Sequence, residues 1–204
     1  NDNKIAWYEN DGSESFTSHT IYSSASYAMS VFAIDVDGDG DMDVLSASIG
    51  DDKIAWFEND GSESFTTHII TSKPSQGEGF ADAANCVYAT DMDGDGDVDV
   101  LSASYANDKV AWYENDGSES FTAHEITTSA NGVVSVYAND VDGDGDMDVQ
   151  SASYIDNKVI WYENDGSESF TAHIITSSAS GASSVFSIDM DGDGDMDILS
   201  SSWG

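Results

Sequence analysis

Four acidic loops of nine residues carry the metal chemistry that this sequence can support. In each loop aspartate alternates with glycine or an apolar residue, so five carboxylates fall within nine positions, at residues 35–43, 91–99, 140–148 and 189–197. Two like charges ~4 Å apart repel by roughly 4 kcal/mol at an effective dielectric constant near 20. A folded chain therefore needs a cation at each loop. Because every candidate ligand is an oxygen atom, the sequence predicts a hard ion, with Ca²⁺ the best fit.

The spacing within each loop predicts a role for each aspartate. Positions one, three, five and nine match the ligand spacing of helix–loop–helix calcium sites, and glycine at position six permits the sharp turn. Position seven is expected to bind through its backbone carbonyl and to point its carboxylate outward. The predicted metal-binding residues are Asp35, Asp37, Asp39, Asp41, Asp43, Asp91, Asp93, Asp95, Asp97, Asp99, Asp140, Asp142, Asp144, Asp146, Asp148, Asp189, Asp191, Asp193, Asp195 and Asp197.

The expected cofactor is therefore Ca²⁺, about four ions in all, with one in each loop. Mg²⁺ fits less well, because it tends to keep its water ligands and seldom occupies a site built entirely from protein atoms. Zn²⁺ is disfavoured because the loops contain no histidine or cysteine.

A repeat of 49 residues positions these loops. They begin at residues 35, 91, 140 and 189, and the same period recurs in the tryptophans at 7, 56, 112 and 161. One interval in each series is 56 residues, because seven additional residues lie within 72–84. This stretch contains the only proline and is predicted to be a surface loop insertion. Internal repeats of this length are typical of solenoids and propellers.

Each repeat is predicted to contain four short β-strands and no helix. In the first complete repeat these are Ser30–Ile34, Asp43–Ser48, Lys53–Glu58 and Phe65–Ile70, and an Asn-Asp-Gly turn at 59–61 joins the last two. Four antiparallel strands per repeat predict the blade of a β-propeller, an all-β fold. The alternative, an open stack of sheets, requires polar capping repeats, and none is visible in the sequence.

The whole chain is predicted to be one propeller domain. It starts with a third and a fourth strand and ends with a first and a second strand, so the two ends are expected to form one composite closing blade. A segment or half of a larger ring of about seven blades, or two chains in one ring, is the alternative. The phase of the repeat also suggests a fragment of a longer chain. The predicted boundaries are 1–204 for the domain, 1–22 plus 182–204 for the composite blade, and about 29–72, 85–128 and 133–177 for the internal blades.

Composition separates this chain from several functional classes. The formal charge is −35, yet 39% of the residues are hydrophobic and 11% aromatic, which predicts a packed core rather than disorder. Nucleic acid is not an expected partner because no basic patch is present, and no apolar run is long enough for a membrane span.

Cys86 is the only cysteine, so no internal disulfide is expected. It occupies the position of Ser30, Ser135 and Ser184 and is predicted to be a small buried residue.

Two further positions recur in every repeat. The tryptophans are predicted to pack between blades, with a sugar-stacking platform as the alternative. The histidines at 19, 68, 124 and 173 are predicted to bond along the outer strand.

There is no Gly-x-Ser-x-Gly nucleophile motif, and the repeats are too alike to suggest one asymmetric active site. The chain is therefore not expected to be an enzyme.

The acidic loops, set between two short β-strands, resemble the calcium loops of FG-GAP/VCBS repeats, which form the propeller heads of integrin α-subunits and occur in many secreted proteins. The resemblance covers essentially the whole chain. It implies a calcium-stabilised propeller that is secreted or at the cell surface and that serves adhesion or recognition of a protein or glycan. The Phe-Gly and Gly-Ala-Pro segments that name the family are absent, so no integrin ligand site or sugar pocket is carried over.

Two alternative functions remain open at the level of sequence. One is a calcium-dependent, lectin-like glycan-binding propeller, with recognition between the blades or at the 72–84 insertion. The other is self-association into a larger ring, or into a surface filament or coat of which this chain is the repeating subunit.

Overall fold

A computed structural model describes residues 2–73 and 79–204, which form β-strands and turns and contain no helix that could cross a membrane. The strands are β1 (Ile5–Asn10), β2 (Phe16–Tyr22), β3 (Ala28–Ile34), β4 (Asp43–Ser48), β5 (Lys53–Asn59), β6 (Phe65–Ser72), β7 (Ala84–Thr90), β8 (Asp99–Ser104), β9 (Lys109–Asn115), β10 (Phe121–Thr127), β11 (Val133–Asn139), β12 (Asp148–Ser153), β13 (Lys158–Asn164), β14 (Phe170–Thr176), β15 (Ala182–Ile188) and β16 (Asp197–Ser202). The prediction of an all-β chain is confirmed.

The strands form three complete blades and two end hairpins. Strands β3–β6, β7–β10 and β11–β14 each make a four-stranded antiparallel sheet in which every strand pairs with its neighbour in sequence, whereas β1–β2 and β15–β16 are two-stranded sheets. The register is the same in each complete blade: Leu45 pairs with Trp56, and Leu101 pairs with Trp112. The predicted blade of four antiparallel strands is therefore confirmed.

Ring closure differs from the prediction. The expected composite blade from residues 1–22 and 182–204 is not formed, because in the described parts of the chain β1 pairs only with β2 and β16 only with β15. The ring is open. The order of strands within a blade does not give the angle between blades, which depends on how their side chains pack face to face.

The core lies in layers between neighbouring blades. One layer joins the first two complete blades through Leu45 and Trp56 on one side and Val87 and Tyr113 on the other. A second layer joins the next pair in the same way through Trp112, and smaller clusters lie under the two end hairpins. Alternating side chains of a strand point to opposite faces, so the middle one of the three complete blades is covered on both sides.

The 72–84 insertion is anchored on the side nearest the second complete blade. Asn107 donates a hydrogen bond from Nδ2 to the carbonyl of Gly79 at 2.7 Å, and the Lys109 ammonium lies 4.1 Å from the centre of the Phe80 ring. That cation–π contact fixes the ring beside Tyr113. Residues 74–78, in the middle of the predicted insertion, lie outside the described residues.

Candidate metal centres

Each acidic loop connects the first and second strands of a blade, so all four loops lie at equivalent places. In the first loop the glycines at positions four and six, Gly38 and Gly40, have φ angles of 74° and 97°, and the other three loops repeat these values closely. Side chains with a Cβ avoid this left-handed region. The two glycines therefore allow the backbone to curl around the space that the carboxylates face.

The aspartates of each loop are held in place by the backbone of the same loop. In all four copies the first aspartate accepts hydrogen bonds from both glycine N–H groups at 2.6–3.1 Å. The third position accepts from the N–H of the fifth at 3.1–3.3 Å, and the fifth accepts from the seventh at 2.8–3.0 Å. These bonds orient the carboxylates within the loop.

The ninth aspartate joins the loop to the rest of the blade. Asp43 accepts from the N–H of Val36 at 3.0 Å and from the N–H of Asn59, at the end of the third strand, at 2.7 Å. The Asn59 amide in turn donates to the Met42 carbonyl at 3.2 Å. Asp99 and Asp148 make the same two bonds, and all three carboxylates are fully buried.

Three carboxylates converge in each loop, with ligand oxygens within 4.8 Å of one another. The groups are Asp35, Asp37 and Asp39; Asp91, Asp93 and Asp99; Asp140, Asp142 and Asp148; and Asp189, Asp191 and Asp197. Two oxygens that each lie 2.3–2.6 Å from a Ca²⁺ ion are at most about 5 Å apart. The spacing and the all-oxygen donor set are therefore compatible with this ion.

The seventh aspartates lie outside these groups. The Asp41 carboxylate lies against Gly61, in the turn between the third and fourth strands, where an added Cβ would collide with it. Asp97 and Asp146 lie against Gly117 and Gly166 in the same way. Ligation by position seven through its carbonyl stays a prediction.

Burial disfavours the charged form of several loop carboxylates when no cation balances them. Desolvation raises the pKa of Asp99 to about 7 and also raises the pKa of Asp148. The pKa values of Asp37, Asp93 and Asp142 are raised by desolvation first and then by neighbouring acids. A divalent ion reverses this balance because it favours the ionised carboxylate.

The turn between the third and fourth strands of each blade, predicted from the sequence at 59–61, is held by its aspartate. Asp60 accepts from the Ser62 hydroxyl at 2.6 Å and from the Ser62 N–H at 2.9 Å, and these bonds lower the pKa of Asp60. Asp11, Asp116 and Asp165 form the same turn, also with a lowered pKa. The recurring Asn-Asp-Gly-Ser-Glu-Ser sequence was the available signal.

The recurring tryptophans and histidines form one structural unit. His68 stacks on Trp56 with ring centres 4.4 Å apart and its Nε2 is hydrogen-bonded to Glu58 at 2.6 Å; the other three repeats match. This agrees with the predicted structural role of the histidines, although the glutamate was missed. Trp56 and Trp112 are buried, so they cannot serve as the alternative sugar-stacking platform.

The innermost strands carry a ladder of aromatic rings that sequence reasoning also missed. Phe32, Tyr88, Tyr137 and Phe186 follow one another with ring centres 4.7–4.9 Å apart. Burial within this ladder raises the pKa of Tyr88 to about 12. The signal was an aromatic residue at the same position in each first strand.

Stacked four-stranded blades, each with an acidic loop between its first two strands, define a β-propeller repeat protein. The chain belongs to the family of FG-GAP-like repeats, whose family model matches residues 1–46, 35–85, 91–151 and 140–200. A search of curated proteins finds no match.

Solved structures share the fold at low sequence identity. An Agrocybe aegerita lectin that recognises non-reducing terminal N-acetylglucosamine is 16% identical, with a TM-score of 0.63 over 96% of this chain and 54% of that chain. The V. cholerae biofilm matrix protein Bap1 is 20% identical, with a TM-score of 0.52 over 86% and 28% of the two chains. A Lactobacillus plantarum protein is 13% identical, with a TM-score of 0.56 over 86% and 50%. The chain thus spans about half or less of the structures that it matches.

Proposed function

We propose that this chain is an extracellular, non-catalytic β-propeller module in which Ca²⁺ stabilises the first hairpin of each blade. The convergence of three carboxylates in each of the four acidic loops carries the proposal. Bound Ca²⁺ would neutralise the clustered charge. The first, third and fifth aspartates keep the loop curled through their backbone bonds, and the ninth links the loop to the third strand. The loops would thus tie three strands of a blade together.

The proposed role is folding linkage rather than chemistry. An ion that binds only the folded state adds RT ln(1 + [Ca²⁺]/Kd), about 2.7 kcal/mol per site at a hundredfold excess over Kd. Several such sites would supply a large part of the 5–15 kcal/mol that stabilises an ordinary domain. Calcium outside the cell would keep such sites occupied, which fits the proposed extracellular location.

Metal content and thermal unfolding test this proposal together. The chain is dialysed against Ca²⁺, against Mg²⁺ or against chelator, bound metal is counted by mass spectrometry, and unfolding is followed by circular dichroism. We expect about four bound Ca²⁺ ions, one per loop, and a large fall in the melting temperature on chelation. An unchanged melting curve after verified removal of metal would rule out a stabilising role.

A second proposed function is recognition of a glycan or protein ligand at an extracellular surface. Its support is the structural likeness to a lectin and to a biofilm matrix protein. Because Trp56 and Trp112 are buried, recognition would use other surfaces, such as the rim turns or the insertion. A glycan array probed with Ca²⁺ and with chelator tests this function. Binding that is absent in both conditions would leave the module structural.

A further inference from the structure

A histidine and two glutamates converge at the interface between the first and second complete blades. Glu58 and His68 lie on the third and fourth strands of the first complete blade, and Glu119 lies in the turn between the third and fourth strands of the next one. Each residue contributes one ligand atom, and the three atoms lie within 4.8 Å of one another. This cluster differs from the acidic loops because it includes a nitrogen donor and because its members come from two blades.

The histidine of the cluster is held between an aromatic ring and a carboxylate. The His68 ring stacks on the buried Trp56, and its Nε2 lies 2.6 Å from the Glu58 carboxylate. A neutral imidazole carries a proton on one nitrogen and a lone pair on the other. It can therefore donate a hydrogen bond to only one of two carboxylates, and its lone pair and the second carboxylate are both suited to bind a metal ion.

The glutamate in the turn has a backbone conformation that its side chain disfavours. Glu119 has a φ angle of 64°, and Glu14, Glu63 and Glu168 at the same place in the other turns have φ angles of 61–67°. Glycine and asparagine adopt this left-handed region more readily than glutamate. A role for the carboxylate at the interface between blades would account for a glutamate at this position.

The same three residue types recur at the next interface with a looser geometry. His124 has its Nε2 2.7 Å from Glu114 and its Nδ1 3.9 Å from Glu168 of the following blade. Within the described part of the chain, the cluster at His68 is the one histidine-containing group whose three ligand atoms all lie within 4.8 Å of one another. The two interfaces therefore offer a matched comparison.

We propose that Glu58, His68 and Glu119 bind a Zn²⁺ ion that bridges the two blades. Zn²⁺ takes imidazole nitrogen and carboxylate oxygen at about 2.0–2.2 Å, with four ligands in a tetrahedral arrangement. Ligands at these distances lie about 3.4 Å apart, which small rotations of the glutamate side chains can reach. Water supplies the fourth ligand, because Glu119 is exposed. The nitrogen donor selects against Ca²⁺, which prefers oxygen ligands alone.

The surroundings of the cluster favour a cation. Glu119 also lines a polar cavity of about 60 Å³ together with Asp37 and Asp97, which belong to two different acidic loops. Surfaces lined by one sign of charge raise the local concentration of ions of the opposite sign. The acidic loops join strands within a blade, whereas this ion would join neighbouring blades. The inference does not depend on Ca²⁺ in the acidic loops.

A titration with Zn²⁺ read at the histidines tests the site directly. The chain has four histidines, so their imidazole nitrogens can be resolved by two-dimensional NMR and assigned with single His→Asn variants. Zn²⁺ is added to the full chain at neutral pH in excess Ca²⁺, and the stoichiometry is measured by calorimetry. We expect the His68 signals to respond first, with one ion bound. Zn²⁺ in the acidic loops would be distinguished from this result, because those loops contain no histidine.

A pair of turn variants supplies the control. Glu119→Gln removes one ligand at an exposed position and should weaken Zn²⁺ binding by at least about tenfold. Glu168→Gln makes the same change in the turn of the next blade and should leave the affinity unchanged. Zn²⁺ should also raise the melting temperature of the unmodified chain and of Glu168→Gln, but not that of Glu119→Gln.

Three results would overturn the proposal: no response of His68 to Zn²⁺, equal losses of affinity in the two variants, or a response of all histidines at the same Zn²⁺ concentration. The melt in Ca²⁺ and in chelator is recorded for each variant. Failure of the zinc site is thereby distinguished from failure of the calcium proposal.

Discussion

The complete blades and the end hairpins have nearly the same sequence but different surroundings. Residues of β8 are buried along its length, whereas most of β16 is exposed. Asp99 is buried with its pKa raised to about 7, whereas Asp197, at the same loop position, is exposed. The difference shows that burial belongs to the interface between blades rather than to the repeat, as in other repeat proteins.

Truncation of a leucine should give the largest difference in stability between a complete blade and an end hairpin. Leu45→Ala leaves a cavity between two blades, and such changes cost about 2–5 kcal/mol. Leu199→Ala removes a partly exposed side chain and should cost less than about 1 kcal/mol in the monomer. Denaturant unfolding at low protein concentration measures both. Equal losses would show that the end hairpin is packed as tightly as a complete blade.

Removal of the ninth carboxylate should distinguish the proposed calcium site of a complete blade from that of an end hairpin. Asp99→Asn is expected to reduce the stabilisation gained from Ca²⁺ by about one site, or ~2.7 kcal/mol at a hundredfold excess. The gain is measured as the difference between unfolding in Ca²⁺ and in chelator, which cancels the effect on the two hydrogen bonds of Asp99. Asp197→Asn should reduce the gain less, because we expect its exposed loop to bind the ion more weakly. A full calcium gain in Asp99→Asn would exclude that loop as a site.

The turn glycines offer a smaller and closely matched test. Gly12→Ala and Gly61→Ala both place a Cβ at a φ angle above 70°, which costs roughly 1 kcal/mol. Only at Gly61 does that Cβ also collide with the Asp41 carboxylate. Gly61→Ala should therefore be the more destabilising, by less than about 1 kcal/mol, because the Asp41 carboxylate is the end of a side chain that can turn aside. Paired thermal melts compare the two variants, and equal losses would show that the Asp41 contact contributes nothing.

A further effect is expected at high pH in the aromatic ladder. Burial raises the pKa of Tyr88 from 10 to about 12, so its neutral form stabilises the fold below pH 10. That contribution is lost as the pH rises from about 10 to about 12, because the unfolded chain ionises first. Tyr88→Phe should flatten this part of the pH profile of stability, whereas the exposed Tyr8→Phe should not. Identical profiles for both variants would contradict the assignment.

Local structure could be predicted because its causes are local. Strand β4 spans Asp43–Ser48 as the sequence predicted, since apolar residues lead out of an acidic loop and end before a turn. The glycines at positions four and six determine the curl of that loop through their φ angles. Composition and period likewise predicted blades and a core between them, and the acidic loops carried the resemblance to FG-GAP-like repeats.

The tertiary structure decided whatever depends on residues far apart in the chain. It selected which three carboxylates converge in each loop, and it placed Asp99 in a buried setting but Asp197 in solvent. It also left β1 and β16 without a pairing to each other, although their sequences match the third and second strands that pair in every complete blade. The physical reason is that burial and pKa depend on which strands and blades pack around a residue, and ring closure depends on the angle between blades. Neither is set within a single repeat.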